Sequence, residues 1–133
     1  MYWTDWGTVA KIERASMDGT SRQVLHNTNL VWPNALTLDY DTQILYWMDA
    51  SLDKFESSRV DGSNRRLLST TQIHHPFGIT LYQNRFYWTD WEMNTVLSAP
   101  INTPTDVGVV ISGLSLDPMG ICVVSLDRQP AGL

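Results

Sequence analysis

The sequence predicts an all-β fold built from repeated units, each of four short antiparallel strands. The segment Tyr-Trp-Thr/Met-Asp occurs three times in 133 residues and begins at Tyr2, Tyr46 and Tyr87. An Asp-Gly pair and an apolar segment that begins with proline recur in step with it. A repeat of about 40 residues is typical of supersecondary units that bury their apolar faces only by stacking on one another.

The middle unit shows the pattern most fully. Its first segment alternates apolar and polar residues, and its second is rich in aromatic and branched residues, which is typical of strands. Gly62 belongs to an Asp-Gly hairpin turn, because a residue without Cβ accepts a positive φ. The predicted strands of this unit lie at residues 35–39, 44–49, 55–60 and 66–69.

The same order of segments predicts the other units. Residues 76–112 form a second full unit, residues 1–26 hold the second, third and fourth strands of a unit, and residues 119–124 hold a first strand alone. Four antiparallel strands in about 40 residues make one blade of a β-propeller. We therefore predict a partial propeller of about three blades. Propellers typically close with about four to eight blades, so this chain is expected to belong to a longer propeller.

Composition excludes several classes of function. Hydrophobic residues make up 43% of the chain and charged residues 17%, which fits a packed core and not a disordered segment. The net charge is −5, whereas a nucleic-acid partner requires a basic surface, so nucleic-acid binding is not expected. No apolar stretch approaches the roughly 18 residues of a membrane span, so direct membrane insertion is not expected either.

Taken together, the recurring Tyr-Trp-Thr-Asp, Asp-Gly and Pro-Asn/Phe elements resemble the class B (YWTD) repeats of the low-density lipoprotein receptor and receptor-related family. The resemblance covers essentially the whole chain. It implies a six-bladed propeller of which this chain carries the last three repeats. Residues 1–127 would belong to the propeller, and residues 128–133 would lead toward an EGF-like module.

The resemblance also implies a function. It points to an extracellular protein-binding module of a single-pass cell-surface receptor, and not to an enzyme. Both the endocytic receptors and the Wnt co-receptor branch fit, with ligand capture, acid-dependent release, or both as the activity. The expected partners are extracellular proteins, the remaining blades and the EGF-like module.

In that family the repeated motif is architectural. The aromatic pairs are expected to pack between blades, and the aspartates to bind backbone amides of adjoining strands, since a buried carboxylate requires hydrogen bonds. The residues expected in this structural role are Tyr2, Trp3, Asp5, Tyr46, Trp47, Asp49, Tyr87, Trp88 and Asp90, with Gly19 and Gly62 at the turns.

The resemblance further implies a ligand-binding rim near the propeller axis. Carried over by position, the rim consists of Trp6, Trp32, Asn34, His75, Phe77, Trp91 and Met119. Asn34 would pair with the asparagine of a partner loop that carries Asn-x-Ile or Asn-x-Val, amide to amide. The large apolar members would receive the Ile or Val side chain, as aromatic anchors do in binding hot spots.

Five of the seven rim residues also have a structural explanation. Asn34 follows a proline and could satisfy a turn amide. Trp6 and Trp91 each follow a motif aspartate and could pack between blades. His75 could be a solvated turn residue, and Met119 could belong to the core.

Other chemistry receives less support from the sequence. Cys122 lies in an apolar segment and is expected to be a buried, inert thiol. His26, His74 and His75 are candidates for an acid response, because histidine titrates near endosomal pH. The acidic residues near turns match no calcium loop. We therefore expect no metal or cofactor in this segment, with calcium confined to neighbouring modules of the parent receptor.

Two alternatives to ligand capture stay open. The first is a purely architectural propeller that holds neighbouring modules in place. The second is a propeller hydrolase, which requires several carboxylates and asparagines around an axial metal. Only Asn34 and Asp117 flank the axial prolines, so an enzyme is the less favoured reading.

Overall fold

The computed structural model describes residues 1–125, which form β-strands in three separate antiparallel sheets. Blade 1 contains β1 (Tyr2–Asp5), β2 (Lys11–Arg14) and β3 (Gln23–His26). Blade 2 contains β4 (Pro33–Asp39), β5 (Ile44–Asp49), β6 (Lys54–Arg59) and β7 (Arg66–Ser69). Blade 3 contains β8 (Pro76–Tyr82), β9 (Arg85–Asp90), β10 (Thr95–Pro100) and β11 (Gly108–Ile111). The prediction of an all-β partial propeller is confirmed.

The strands follow the predicted pattern closely. β5 and β7 have the predicted bounds, and blade 1 has three strands, as the sequence indicated. β4 begins two residues earlier than predicted, because Pro33 pairs with Asp49 across a bulge that ends at Ala35. Gly19 and Gly62 have φ of +84° and +87°, the conformation for which their turns require glycine. The predicted exit segment, residues 128–133, lies outside the described residues.

The prediction of a strand at residues 119–124 is wrong. These residues belong to no sheet in the described part of the chain, and Cys122 is exposed. A first strand of this kind pairs only with the second strand of its own blade, and residues 1–125 place no such strand beside it. The expectation that Cys122 is a buried thiol fails for the same reason.

The core lies between the blades. Trp47 of blade 2 packs with Ile12 of blade 1, and both are 0% exposed. Between blades 2 and 3, the Phe86 ring lies 4.8 Å from the ring of Tyr46 and 4.7 Å from that of Phe55, in edge-on contacts. The tyrosine and tryptophan of one motif thus face opposite neighbours, since adjacent strand residues point to opposite faces. Stacking of blades, and not any single sheet, buries the apolar residues.

The described residues contain no helix with the length and hydropathy needed to cross a bilayer.

Candidate protein-binding surface

The motif aspartate of blade 2 fixes the loop that leads into the inner strand. Asp49 accepts four backbone N–H groups, from Val31 at 2.7 Å, Trp32 at 3.2 Å, Ser51 at 3.0 Å and Leu52 at 3.1 Å. Its side chain is fully buried. These donors lie before β4 and after β5, and not in the adjoining strands that the sequence suggested. A carboxylate with four donors is a strong local restraint.

Blade 3 repeats this arrangement with fewer bonds. Asp90 accepts the N–H of His75 at 3.2 Å and that of Met93 at 2.9 Å. In addition, Trp91 donates its N–H to the carbonyl of His75 at 3.0 Å. The residue before each inner-strand proline is therefore held beside the residue that follows the motif aspartate. This pairing brings Trp32, His75 and Trp91 to the same end of their blades.

Four predicted rim residues meet there in a continuous aromatic cluster. The ring centroids are 5.9 Å apart for Trp32 and His75, 5.4 Å for His75 and Trp91, and 5.7 Å for Phe77 and Trp91. All four side chains are partly exposed, and Trp32 is 42% exposed. We call these four residues the rim cluster. It spans blades 2 and 3 and presents aromatic surface to solvent.

Asn34 lies beside the rim cluster and also joins two blades. Its side-chain amide donates to the carbonyl of Pro76 at 3.3 Å, so one N–H serves the contact between blades 2 and 3. Within residues 1–125, its carbonyl oxygen and second N–H are the groups left for a ligand. An amide can use both at once in a pair with another amide.

Within residues 1–125, no ring contact joins Trp6 to the rim cluster. Trp6 is 59% exposed, and the residue at its position in blade 2 is the small, buried Ala50. Met119 has a 52% exposed side chain, so the core alternative does not hold for it. Its carbonyl oxygen accepts a hydrogen bond from the Thr89 hydroxyl of blade 3.

An arginine clamp that the sequence analysis did not identify joins blade 2 to the preceding loop. The Arg65 guanidinium binds Glu56 in two hydrogen bonds of 3.0 and 2.7 Å and lies 5.5 Å from the Trp47 ring centroid. It also donates to the carbonyl of Thr28 at 2.7 Å. Fork-shaped recognition of a carboxylate is characteristic of arginine. A signal was present in the sequence, because a glutamate precedes an arginine by nine residues in two repeats.

Blade 1 contains the second copy of this clamp. Arg22 binds Glu13 with two hydrogen bonds of 3.0 and 2.7 Å and lies 5.4 Å from the Trp3 ring centroid. The hydrogen bond from Arg22 and the positive charge of Arg22 lower the pKa of Glu13 below its usual value, although burial acts in the opposite direction. In blade 3, Leu97 stands opposite Trp88 in place of the glutamate, so the clamp is absent there.

His26 forms a buried contact between blades 1 and 2. Its Nε2 lies 3.0 Å from the Ser58 hydroxyl, and its ring lies 5.0 Å from the ring of Trp47. Burial lowers the pKa of His26, and the positive charge of nearby Arg65 lowers it further. The neutral imidazole is therefore the form that this site favours.

The described residues bring together no group of three or more His, Cys, Asp or Glu side chains able to hold a metal ion. At the rim the structure presents partly exposed aromatic rings and one side-chain amide.

The three stacked sheets and their tyrosine–tryptophan interfaces define a propeller segment of the YWTD type. The profile of the low-density lipoprotein receptor repeat class B matches residues 1–40 and 43–83, which is more than half of the chain. The chain therefore belongs to the low-density lipoprotein receptor class B repeat family. This family consists of receptor repeats, a non-enzymatic kind of protein.

Similar proteins include two insect receptors and one human protein. The vitellogenin receptor of Solenopsis invicta is 41% identical over 84% of the chain, and the vitellogenin receptor Yl of Drosophila melanogaster is 40% identical over 72%. The human low-density lipoprotein receptor-related protein 5-like protein is 37% identical over 96%. The chain spans 6%, 5% and 50% of these three proteins, respectively.

A solved structure has the same fold. A chain in the crystal structure of a nidogen/laminin complex superimposes with a TM-score of 0.76 and 31% identity. The match covers 90% of this chain and 45% of that one.

Proposed function

We propose that this chain is an extracellular, ligand-capturing propeller segment of a low-density lipoprotein receptor-related receptor. The observation that carries the proposal is the rim cluster, in which four aromatic rings from two blades lie in contact and face solvent. Buried contacts hold the backbone beneath it, so the rings are positioned before a ligand arrives. Rigid aromatic groups with nearby polar atoms are typical of binding hot spots.

The partner that this surface fits is an extended protein segment with an asparagine two residues before an isoleucine or valine. Asn34 has a carbonyl oxygen and an N–H left to pair with the incoming amide. Phe77 and Trp91 form an apolar wall beside it, against which a branched side chain can pack. Trp6 and Met119 would extend the surface at the two ends of the row of blades.

The test uses the 133-residue chain and a cyclic peptide that contains Asn-x-Ile, compared with the same peptide carrying alanine in place of asparagine. We expect the Asn-x-Ile peptide to bind and Trp91→Ala to weaken it about 30-fold or more, the effect of losing a hot-spot anchor. Tyr40→Ala is the matched control, since Tyr40 is an exposed aromatic residue in a turn away from the rim. Folded protein that binds neither peptide would contradict capture and favour the architectural alternative, whereas equal binding of both peptides would contradict recognition of the asparagine by Asn34.

Acid-dependent release is the finer part of the proposal. His75 lies between Trp32 and Trp91, so a positive charge on its ring would change the centre of the rim cluster. We expect the peptide to bind less tightly in acid than at neutral pH. His75→Phe should remove that difference while keeping an aromatic ring. A pH dependence that persists unchanged in His75→Phe would exclude this residue as its source.

A further inference from the structure

Two arginines of blade 2 differ from the other cationic side chains of the described chain. The guanidinium groups of Arg59 and Arg66 have no hydrogen bond or ion pair within residues 1–125. The other lysine and arginine side chains of these residues each have a partner; they are Lys11, Arg14, Arg22, Lys54, Arg65 and Arg85. Both exposed exceptions lie in one blade, so a single partner could bind them together.

The strand register brings these two arginines to the same face of blade 2. Ser57 stands opposite Arg66 on the next strand, and Arg59 follows Ser57 by two residues. Side chains two residues apart on a strand point to the same face, and diagonal neighbours of this kind lie about 7–8 Å apart. Tyr46 stands opposite Ser57 and packs against Phe86 of blade 3, so both arginines are on the face toward blade 3. Two positive charges at this spacing repel each other, and an anion between them would offset the repulsion.

Both arginines line a cleft between blades 2 and 3. Its volume is about 340 Å³, which lies within the range of about 300–1,000 Å³ that is typical of ligand sites. The cleft lies at the opposite end of blade 2 from the rim cluster, because Ile44 in its lining begins the strand that ends at Asp49. Five steps of extended strand separate these two ends by about 17 Å. Blades 2 and 3 each have four strands, so the cleft belongs to an interface between two complete blades.

The cleft offers polar groups besides the arginines. The side-chain hydroxyls of Tyr46 and Ser57 and the side-chain amide of Asn64 line it and have no hydrogen-bond partner within residues 1–125. Burial, together with the negative charge of Asp39, raises the pKa of Tyr46. The tyrosine hydroxyl therefore keeps its proton and can donate a hydrogen bond to an anionic ligand.

Asp39 and Asp61 carry negative charges that act on groups of the cleft, but both carboxylates are engaged in turns. Asp39 accepts the N–H of Asp41 at 3.1 Å and the hydroxyl of Thr42 at 2.7 Å. Asp61 accepts the N–H and the hydroxyl of Ser63 at 2.9 and 2.6 Å. These carboxylates reduce the positive potential of the cleft and leave its two guanidinium groups free to bind carboxylates from outside.

We propose that this cleft binds an extended acidic segment of a partner protein, in which two glutamates separated by one residue pair with Arg59 and Arg66. Residues i and i+2 of an extended segment point the same way and lie about 7 Å apart, which is close to the spacing of the two arginines. A guanidinium binds a carboxylate through two parallel hydrogen bonds. An apolar residue beside the glutamates would pack on the apolar wall of the cleft, which is formed by Ile44, Leu68 and Ile101.

The charge of the chain favours a short acidic segment over a long polyanion such as a sulfated polysaccharide. The chain has 14 acidic and 9 basic residues and a net charge of −5, so its overall charge repels an anionic polymer that extends beyond the cleft. A segment with two carboxylates neutralises the two arginines and carries little further charge. The apolar wall also fits a protein side chain better than a sulfated sugar. Because the cleft and the rim cluster are separate, this inference does not depend on the proposed ligand capture.

The test measures binding of a labelled peptide that contains Leu-Glu-Ala-Glu to the 133-residue chain by fluorescence anisotropy. The control peptide carries glutamine in place of both glutamates, and we expect it not to bind. Arg59→Gln and Arg66→Gln should each raise the Kd of the acidic peptide about 10-fold or more, because hydrogen bonds to a charged group are lost. Both side chains are exposed and unpaired within residues 1–125, so neither substitution should affect the fold. Equal binding of the two peptides, or binding of neither, would overturn the proposal.

Arg85→Gln is the matched control for charge. Arg85 donates to the Ser98 hydroxyl of blade 3 and does not line the cleft, so its substitution should leave the Kd unchanged. Equal weakening by Arg85→Gln would indicate general electrostatic attraction and overturn the proposal. Trp91→Ala should also leave this Kd unchanged, and a loss of affinity there would place the peptide at the rim cluster instead. A sulfated oligosaccharide that binds more tightly than the peptide through the same two arginines would overturn the assignment to an acidic protein segment.

Discussion

Trp3 of blade 1 and Trp47 of blade 2 have the same local setting and very different burial. Each lies opposite a glutamate on the next strand, and each has an arginine about as far from its ring, at 5.4 and 5.5 Å. Trp47 is nevertheless 0% exposed, whereas Trp3 is half-buried. The difference is the preceding blade, which covers Trp47 with Ile12 and His26. In this fold a repeat determines its own sheet, but its neighbours determine its burial.

The largest expected effect comes from truncating these two tryptophans. Trp47→Ala should lower the free energy of unfolding by about 3–5 kcal/mol, because it opens a cavity in a closed interface. Trp3→Ala should cost clearly less, because its ring is already partly solvated. Chemical denaturation measures the free energy of unfolding of both variants. Equal losses would mean that local packing, and not the neighbouring blade, accounts for the stability at this position.

The motif aspartates provide the second comparison. Asp49→Ala removes a fully buried carboxylate that accepts four backbone N–H groups, and it should cost about 3 kcal/mol or more, since each hydrogen bond to a charged group contributes about 1.5–3 kcal/mol. The Asp5 carboxylate accepts one N–H, from Gly7, and its Oδ2 lies 3.6 Å from the Nζ of Lys11, with both side chains partly exposed to solvent. Asp5→Ala should therefore cost about 1 kcal/mol or less.

Denaturation of the two aspartate variants side by side measures the difference. A cost for Asp5→Ala as large as that for Asp49→Ala would show that the four N–H bonds of Asp49 do not account for its larger contribution to stability.

Much of the fold was predictable from the sequence because period and turn chemistry are local signals. The bounds of β5 and β7 followed from apolar patterning, and the Asp61-Gly62 turn followed from the need for positive φ. Residues 119–124 have the same local pattern but no partner strand, so the prediction failed where pairing is not local. Cys122 is exposed for that reason and not because of its own surroundings in sequence.

Membership of the rim cluster depends on position in the repeat, whereas its geometry depends on how the blades stack. A position in the repeat identified Trp32, His75, Phe77 and Trp91, and the structure brings their rings into contact. Sequence position could not show that Asn34 also binds the carbonyl of Pro76. That bond crosses between blades, and such contacts depend on how sheets stack. The same limit explains why the contact of His26 with Ser58 was not foreseen.

His26 makes the interface between blades 1 and 2 sensitive to acid. Its pKa in the folded protein is lowered, mainly by burial, so its neutral form is favoured in the fold. Above the unfolded pKa of about 6.5, both states are neutral and the interface has its full stability. As the pH falls below that value, the unfolded chain binds a proton first, and the free energy of unfolding decreases. The loss ends at the lower folded pKa, where both states are protonated.

Denaturation midpoints from about pH 7.5 down to about pH 5 test this behaviour, because the histidine transition falls in that window. His26→Phe keeps a ring against Trp47 and should remove this part of the pH dependence. His74→Gln is the control, since His74 is exposed and lies outside the interface, and it should retain the decrease. If the wild-type protein and His26→Phe lose stability in parallel, other groups cause the acid sensitivity.

Alanine substitutions in the two Asp-Gly turns should show the smallest difference in their cost to stability. Gly19 and Gly62 both have a positive φ. In each turn, the aspartate before the glycine accepts hydrogen bonds from the backbone N–H and the side-chain hydroxyl of the residue two positions later. A Cβ on Gly19 would meet nothing within 4 Å, and one on Gly62 would make ordinary contact with the Leu25 carbonyl at 3.4 Å. Alanine at either site should therefore cost about 1 kcal/mol, from backbone strain alone. A clearly greater loss for Gly62→Ala in denaturation would show that the contact with Leu25 of blade 1 restricts this hairpin more than the 3.4 Å distance indicates.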